Sequence, residues 1–107
     1  MTELEQMQTV AFQIIAEVGT AKSMYMEAIR IAKEEKDFEA AKKMIIEGQE
    51  LATSAHTHHF EIVQKEAAGE SLPFSIMLMH AEDQLLTTEV VKLLAEEVIC
   101  LHEELNK

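Results

Sequence analysis

Nine apolar side chains between Leu4 and Ala32 recur at spacings of three and four without a miss: Leu4, Met7, Ala11, Ile14, Val18, Ala21, Tyr25, Ala28 and Ala32. A helix with about 3.6 residues per turn puts all of them on one side, as a strand cannot. Such a stripe has to be covered by other helices. A second, partial stripe holds Phe12, Ile15, Met26 and Ile29, interrupted by Gly19 and Lys22. Two stripes on one helix imply more than one neighbour.

Two breaks divide the remainder. The charged run Glu34-Glu35-Lys36-Asp37 ends the first helix, which is expected over about 2–34. Asp37 is a good cap for the free N–H groups of the next turn. The second helix is expected over about 38–68, with a seam of Ala41, Ile45, Gly48, Ala52, Ala55, His59 and Ile62. Its small central residues let a neighbour approach closely, and Gly69 is a C-terminal stop. Ser71 as cap and Pro73 in the first turn open a third helix, expected over about 73–106. At roughly 1.5 Å per residue each helix is about 45–50 Å long. Short connections make neighbours antiparallel, so the fold class is all-α, an up-down-up three-helix bundle.

Composition supports this and removes several functions. The 107 residues hold three Gly, one Pro and no Trp, and strong helix formers dominate. The net charge is -11, from 20 acids against 9 Lys plus Arg. That balance argues against binding nucleic acid or anionic membranes, both of which require clustered cations. A lone Cys100 permits no internal disulfide and suits a reducing compartment. The expectation is a cytoplasmic protein without membrane insertion.

The segment Phe74–Leu86, FSIMLMHAEDQLL, is apolar almost all the way round its helix. One three-helix bundle cannot cover it, so an oligomer is expected. In the stripe Ile76, Met79, Asp83, Leu86, Val90, Leu93, Asp83 is the only acid, and no cation lies one turn away. A buried carboxylate must be neutralised, paired or metal-bound. A symmetry axis would bring copies of Asp83 together and call for a cation such as Mg²⁺; a protonated or water-bridged Asp83 is the plainer alternative.

The neighbouring stripe runs Met77, His80, Gln84, Thr87, Val91, Leu94, Val98, Leu101, Leu105. Its C-terminal half reads as core. Its N-terminal half turns polar, with His80, Gln84 and Thr87 facing one way. Imidazole is nucleophilic near neutral pH, and an amide and a hydroxyl can bond an added phosphoryl group. A satisfied polar layer in a bundle remains the alternative. His56, His58 and His59 cluster on the second helix without a familiar zinc-ligand spacing, and His56 and His59 read as groove-lining. His102 near the chain end is an ordinary C-terminal cation.

His80-Ala81-Glu82-Asp83-Gln84-Leu85-Leu86 resembles the pattern His-Ala-Gln-Asp-His-Leu-Met of the enzyme IIA family of the lactose/cellobiose/chitobiose phosphotransferase system. The likeness extends to Gly19-Thr20-Ala21-Lys22-Ser23 with Met26-Glu27-Ala28, to Lys36-Asp37-Phe38-Glu39-Ala40-Ala41, to Ala55-His56 and to Leu101-His102-Glu103. It implies one IIA domain over 1–107 and a homotrimer of three-helix bundles, nine helices in all. It implies phosphorylation of His80 by phospho-HPr. The acceptor would be a cysteine of enzyme IIB, which acts with membrane IIC on a sugar of the cellobiose, lactose or chitobiose class. Asp83 would bind a divalent cation, Mg²⁺ or another, at the trimer axis. Gln84 and Thr87 would support the phosphoryl site, and Met77, Met79, His56 and His59 would line a partner-docking groove between subunits. A non-catalytic helical adaptor is the competing reading.

This chain departs from the family pattern at Glu82, where the family has Gln, at Gln84, where it has His, and near Phe60, where a Gln is frequent. Arg30 is the only arginine. Stabilisation of the transferring phosphoryl charge is therefore expected to come largely from the partners.

Overall fold

The computed structural model describes all 107 residues as three long helices, 55 × 22 × 18 Å overall. Helix α1 spans Glu3–Arg30 and continues as a π-helical turn, Ile31–Glu35; α2 spans Phe38–Ala67 and α3 spans Ile76–Leu105. Each start is capped by a side chain. Thr2 and Glu5 form a reciprocal capping box, with Thr2 N donating to Glu5 Oε1 at 2.9 Å and Glu5 N to Thr2 Oγ1 at 3.1 Å. Asp37 Oδ1 accepts from Ala40 N at 3.1 Å, as its position between two helices predicts. The turn before it passes through Lys36 at φ 55°. Gly69, at φ 90°, ends α2.

The third helix begins later than its sequence suggests. Ser75 is the cap, accepting from Leu78 N at 3.1 Å, and Ser71 and Pro73 lie outside the helix. Pro73 disfavours a helical residue before it. Leu72 and Pro73 instead lie half-buried beside a hollow edged by Met7 and Val10 of α1 and Ile62 of α2.

The α1 seam is buried from Met7 to Ala32, while Leu4 is exposed where α1 begins. The α2 seam is buried at Ala41, Ile45, Gly48, Ala52, Ala55 and Ile62, with His59 half-buried. Both α2 and α3 pack chiefly on α1 and touch each other much less. Two apolar clusters result. One joins Ala11, Ile14 and Val18 to Ala55, Ala81 and Leu85; the other joins residues between Ala21 and Ala32 to Ala41, Ile45, Ala52, Ala95 and Ile99. Low α1 numbers meeting low α3 numbers show that α1 and α3 run parallel, with α2 antiparallel to both.

The stripe that seats α3 is Ala81, Leu85, Thr88, Ala95 and Ile99, with Lys92 half-buried among them. The expectation of a core half along Val91–Leu105 fails within one chain: Leu94, Leu101 and Leu105 are exposed, and Val91 and Val98 are half-buried. Ile76, Met79, Leu86, Val90 and Leu93 are exposed too. Opposite its packing side, α3 thus presents an apolar outer face along most of its length.

Candidate phosphoryl-carrier site

His80 sits near the start of α3, exposed, beside the buried Ala81 that ties this turn to α1. On a helix with about 100° per residue, His80 lies at the edge between the packing side and the apolar outer face. Its imidazole has no hydrogen-bond or salt-bridge partner in the chain. Three of the other four histidines are engaged. His56 pairs with Glu89 across α2 and α3. His58 lies 3.5 Å from Glu17 of α1, and His59 lies 2.7 Å from Glu82 of α3. His102 is half-buried near the far end of α3.

Gln84 follows His80 by one turn and is half-buried; Thr87 follows by two and is exposed. Thr87 is not a free donor. Its hydroxyl donates to Asp83 O at 2.8 Å and approaches Gln84 O at 3.3 Å, so its oxygen offers lone pairs outward. Phosphoryl oxygens need donors, which leaves the Gln84 amide as the better-suited neighbour.

The four residues expected to line a docking groove between subunits lie on different sides of α3 within a single chain. Met77 borders a shallow hollow of about 380 Å³ with Phe12, Gln8 and Glu5 of α1. Met79 is on the outer face, 52% exposed. His56 and His59 point across to α3 on its other flank, where they bind Glu89 and Glu82. Pairings between helices so distant in sequence leave no periodic signal, and sequence reasoning missed these two as well as that of His58 with Glu17.

Asp83 is exposed among Ile76, Met79, Leu86 and Val90. One chain brings together no group of three or more His, Cys, Asp or Glu side chains able to hold a metal ion. A single carboxylate is an incomplete site for a hard divalent cation.

The only arginine is committed elsewhere. Arg30 bonds Glu27 at 2.5 Å, Glu35 at 2.9 Å and Glu34 at 3.1 Å, and these carboxylates hold its proton more tightly than usual. Arg30 lies level with the Ala95 end of the bundle, about 25 Å along the axis from His80. The roomier grooves, each about 430 Å³, run between α2 and α3 around Ile45 and Ile46, away from His80. An exposed imidazole at an edge suits group transfer to another protein, for which a deep cavity is unnecessary.

Residues 9–103 match the family described as PTS system, Lactose/Cellobiose specific IIA subunit. The oligo-beta-mannoside-specific EIIA component of Bacillus subtilis (strain 168) is 38% identical over 97 residues, which are 91% of this chain and 87% of that one. The lichenan-specific phosphotransferase enzyme IIA component of the same organism is 37% identical over 103 residues, covering 96% and 93%. The crystal structure of the PTS cellobiose-specific enzyme IIA from Bacillus anthracis superposes with a TM-score of 0.88 at 38% identity, covering 99% of this chain and 94% of the other. No helix is long and apolar enough to cross a membrane. With a three-helix fold, a family match over nearly its whole length and relatives alike in sequence and shape, this chain belongs to the lactose/cellobiose-specific IIA family and is a component of a sugar phosphotransferase system.

Proposed function

We propose that His80 is the residue that carries the phosphoryl group. The observation behind this reading is that His80 is exposed and unpartnered, while His56, His58 and His59 each face a carboxylate. Neutral imidazole attacks the phosphorus of phosphohistidine on HPr in line; the new N–P bond forms as the donor's N–P bond breaks, and the donor imidazole keeps the electron pair. A thiolate of enzyme IIB then attacks the phosphorus, and His80 leaves with its electron pair. Water has to be kept out while each partner is admitted. Met77 and Met79 are soft, adaptable surfaces for two partners in turn. With Arg30 tied to three glutamates, the cations that offset phosphoryl charge come from the partners.

The protein acts in the cytoplasm as a homotrimer. Its support is the exposed apolar face of α3, since monomers seldom leave large contiguous apolar patches open. Three such faces meeting on an axis bring three Asp83 carboxylates together. Their oxygens are the hard donors that Mg²⁺ prefers, so a divalent cation fits the trimer, although a single chain cannot hold it. The sugar belongs to the β-linked disaccharide class of cellobiose, lactose or chitobiose. The relatives at 38% and 37% identity are named for different sugars, so overall similarity does not choose among them.

Incubation with phospho-HPr should add the mass of one phosphoryl group per chain, mapped to His80 and absent in His80→Ala. Uptake on another residue, or none at all, would leave the adaptor reading in its place.

A further inference from the structure

Glu82 puts a carboxylate on the helical turn that carries His80, where a phosphoryl group, itself an anion, must arrive. The structure gives that carboxylate an anchor. His59 Nε2 lies 2.7 Å from Glu82 Oε2, with the two side chains only 23% and 41% exposed. Residues two apart on a helix lie about 200° around it, so the anchored carboxylate is drawn to the α2 flank, away from His80.

We infer that His59 is a positioning residue for phosphoryl transfer: by donating to Glu82 it fixes that carboxylate against α2 and keeps its charge off the His80 side of α3. The inference rests on the reading of His80 as phosphoryl carrier. Three observations support it. The pair spans α2 and α3, which otherwise touch little, so it also sets where the first turns of α3 lie against α2. No lysine or arginine bonds Glu82, so the imidazole is its only partner. The next His–Glu link on the same flank, His56 with Glu89, is about two turns further along α3 and cannot substitute for it.

The test compares the wild type, His59→Leu, Glu82→Gln and the double variant for their rate of phosphoryl uptake from phospho-HPr, with His80→Ala as control. Leucine keeps the bulk of the side chain and has no donor for Glu82. Two charges about 10 Å apart across a helix interact modestly in water, so His59→Leu should slow uptake about two- to fourfold at low ionic strength. The deficit should shrink as salt rises towards ~0.15 M. Glu82→Gln in the His59→Leu background should restore the rate, because the amide carries no charge to be restrained. A rate unchanged in His59→Leu would overturn the inference. So would a double variant as slow as His59→Leu, which would mean that the charge of Glu82 is not what slows transfer. Phosphoryl uptake by His80→Ala would sink the carrier reading itself, so the two failures can be told apart.

Discussion

The ring of Tyr25 lies directly against the backbone of Gly48: a Cβ at residue 48 would sit 2.7 Å from Tyr25 Cε1 and 3.3 Å from Ala21 O. Tyr25 is 1% exposed and is packed among Ala21, Ala28 and Ala52 in the core, so moving its ring disturbs that packing. Alanine in mid-helix normally stabilises by roughly 0.5–1 kcal/mol over glycine. Here the clash outweighs that gain, and Gly48→Ala should destabilise the protein by about 1–2 kcal/mol. Urea denaturation followed by circular dichroism measures it, and a stabilised variant would refute this account of the α1–α2 contact.

Lys36 presents the opposite case. It is the only non-glycine residue at positive φ, at 55°, and it is exposed. Glycine accepts that conformation without Cβ strain, so Lys36→Gly should be neutral or stabilising by up to ~1 kcal/mol. A thermal melt at constant ionic strength gives the sign.

At the start of α1 the effect depends on pH. The backbone N–H of Thr2, and then its hydroxyl, hold the Glu5 carboxyl below its ordinary value of 4.5. A depressed folded-state pKa contributes stability that is present above the unfolded value and lost as pH falls through the folded one. Stability should therefore decline below about pH 4.5, and Glu5→Gln should remove a small part of that decline. Thr2→Ala should cost about 0.5–2 kcal/mol near neutral pH. Denaturation curves of the three proteins between pH 3 and 7 separate the contributions.

Removing Asp83 should make assembly indifferent to metal. In the proposed trimer three like charges share an axis, and Asp83→Leu abolishes their repulsion. Sedimentation should find this variant trimeric with or without chelator, whereas the wild type loosens when the cation is withdrawn. Leu86→Glu with Leu93→Glu, on the same exposed face, should give monomers. A monomeric Asp83→Leu, or a trimeric double glutamate, would contradict the arrangement.

Arg30→Gln should leave the rate of phosphoryl uptake within about twofold of the wild type, since the side chain serves Glu27, Glu34 and Glu35 at the far end of the bundle. A loss of tenfold or more would place the arginine in the transfer step, and a stopped reaction analysed by mass spectrometry reads either outcome.

The α1 seam was plain in the sequence because one face of that helix alone is continuously apolar and both neighbours rest upon it. On α3 the same reasoning selected a stripe that does not pack within one chain. Apart from Leu85 and Ile99, its packing side consists of Ala81, Thr88, Lys92 and Ala95, small or polar residues that register weakly beside the leucines of the outer face. Those leucines are just as apolar, yet within one chain they face outwards, and hydrophobicity cannot say which protein surface will cover them. At the site, His80 stood out by its residue type and its place in the family pattern. Two features required coordinates: the commitment of Thr87 to its own backbone, and the anchoring of Glu82 by a residue 23 positions away.

Because α1 is the main support of both companions, the order in which the chain can mature is constrained. Helices α1 and α2 meet through a tight turn and can zip together as soon as the first 67 residues exist. Joining α3 to α1 instead closes a loop through about two thirds of the polypeptide, an entropic cost that recedes only after the earlier hairpin is in place. The segment bearing His80 should thus dock last, after α1 and α2 have paired.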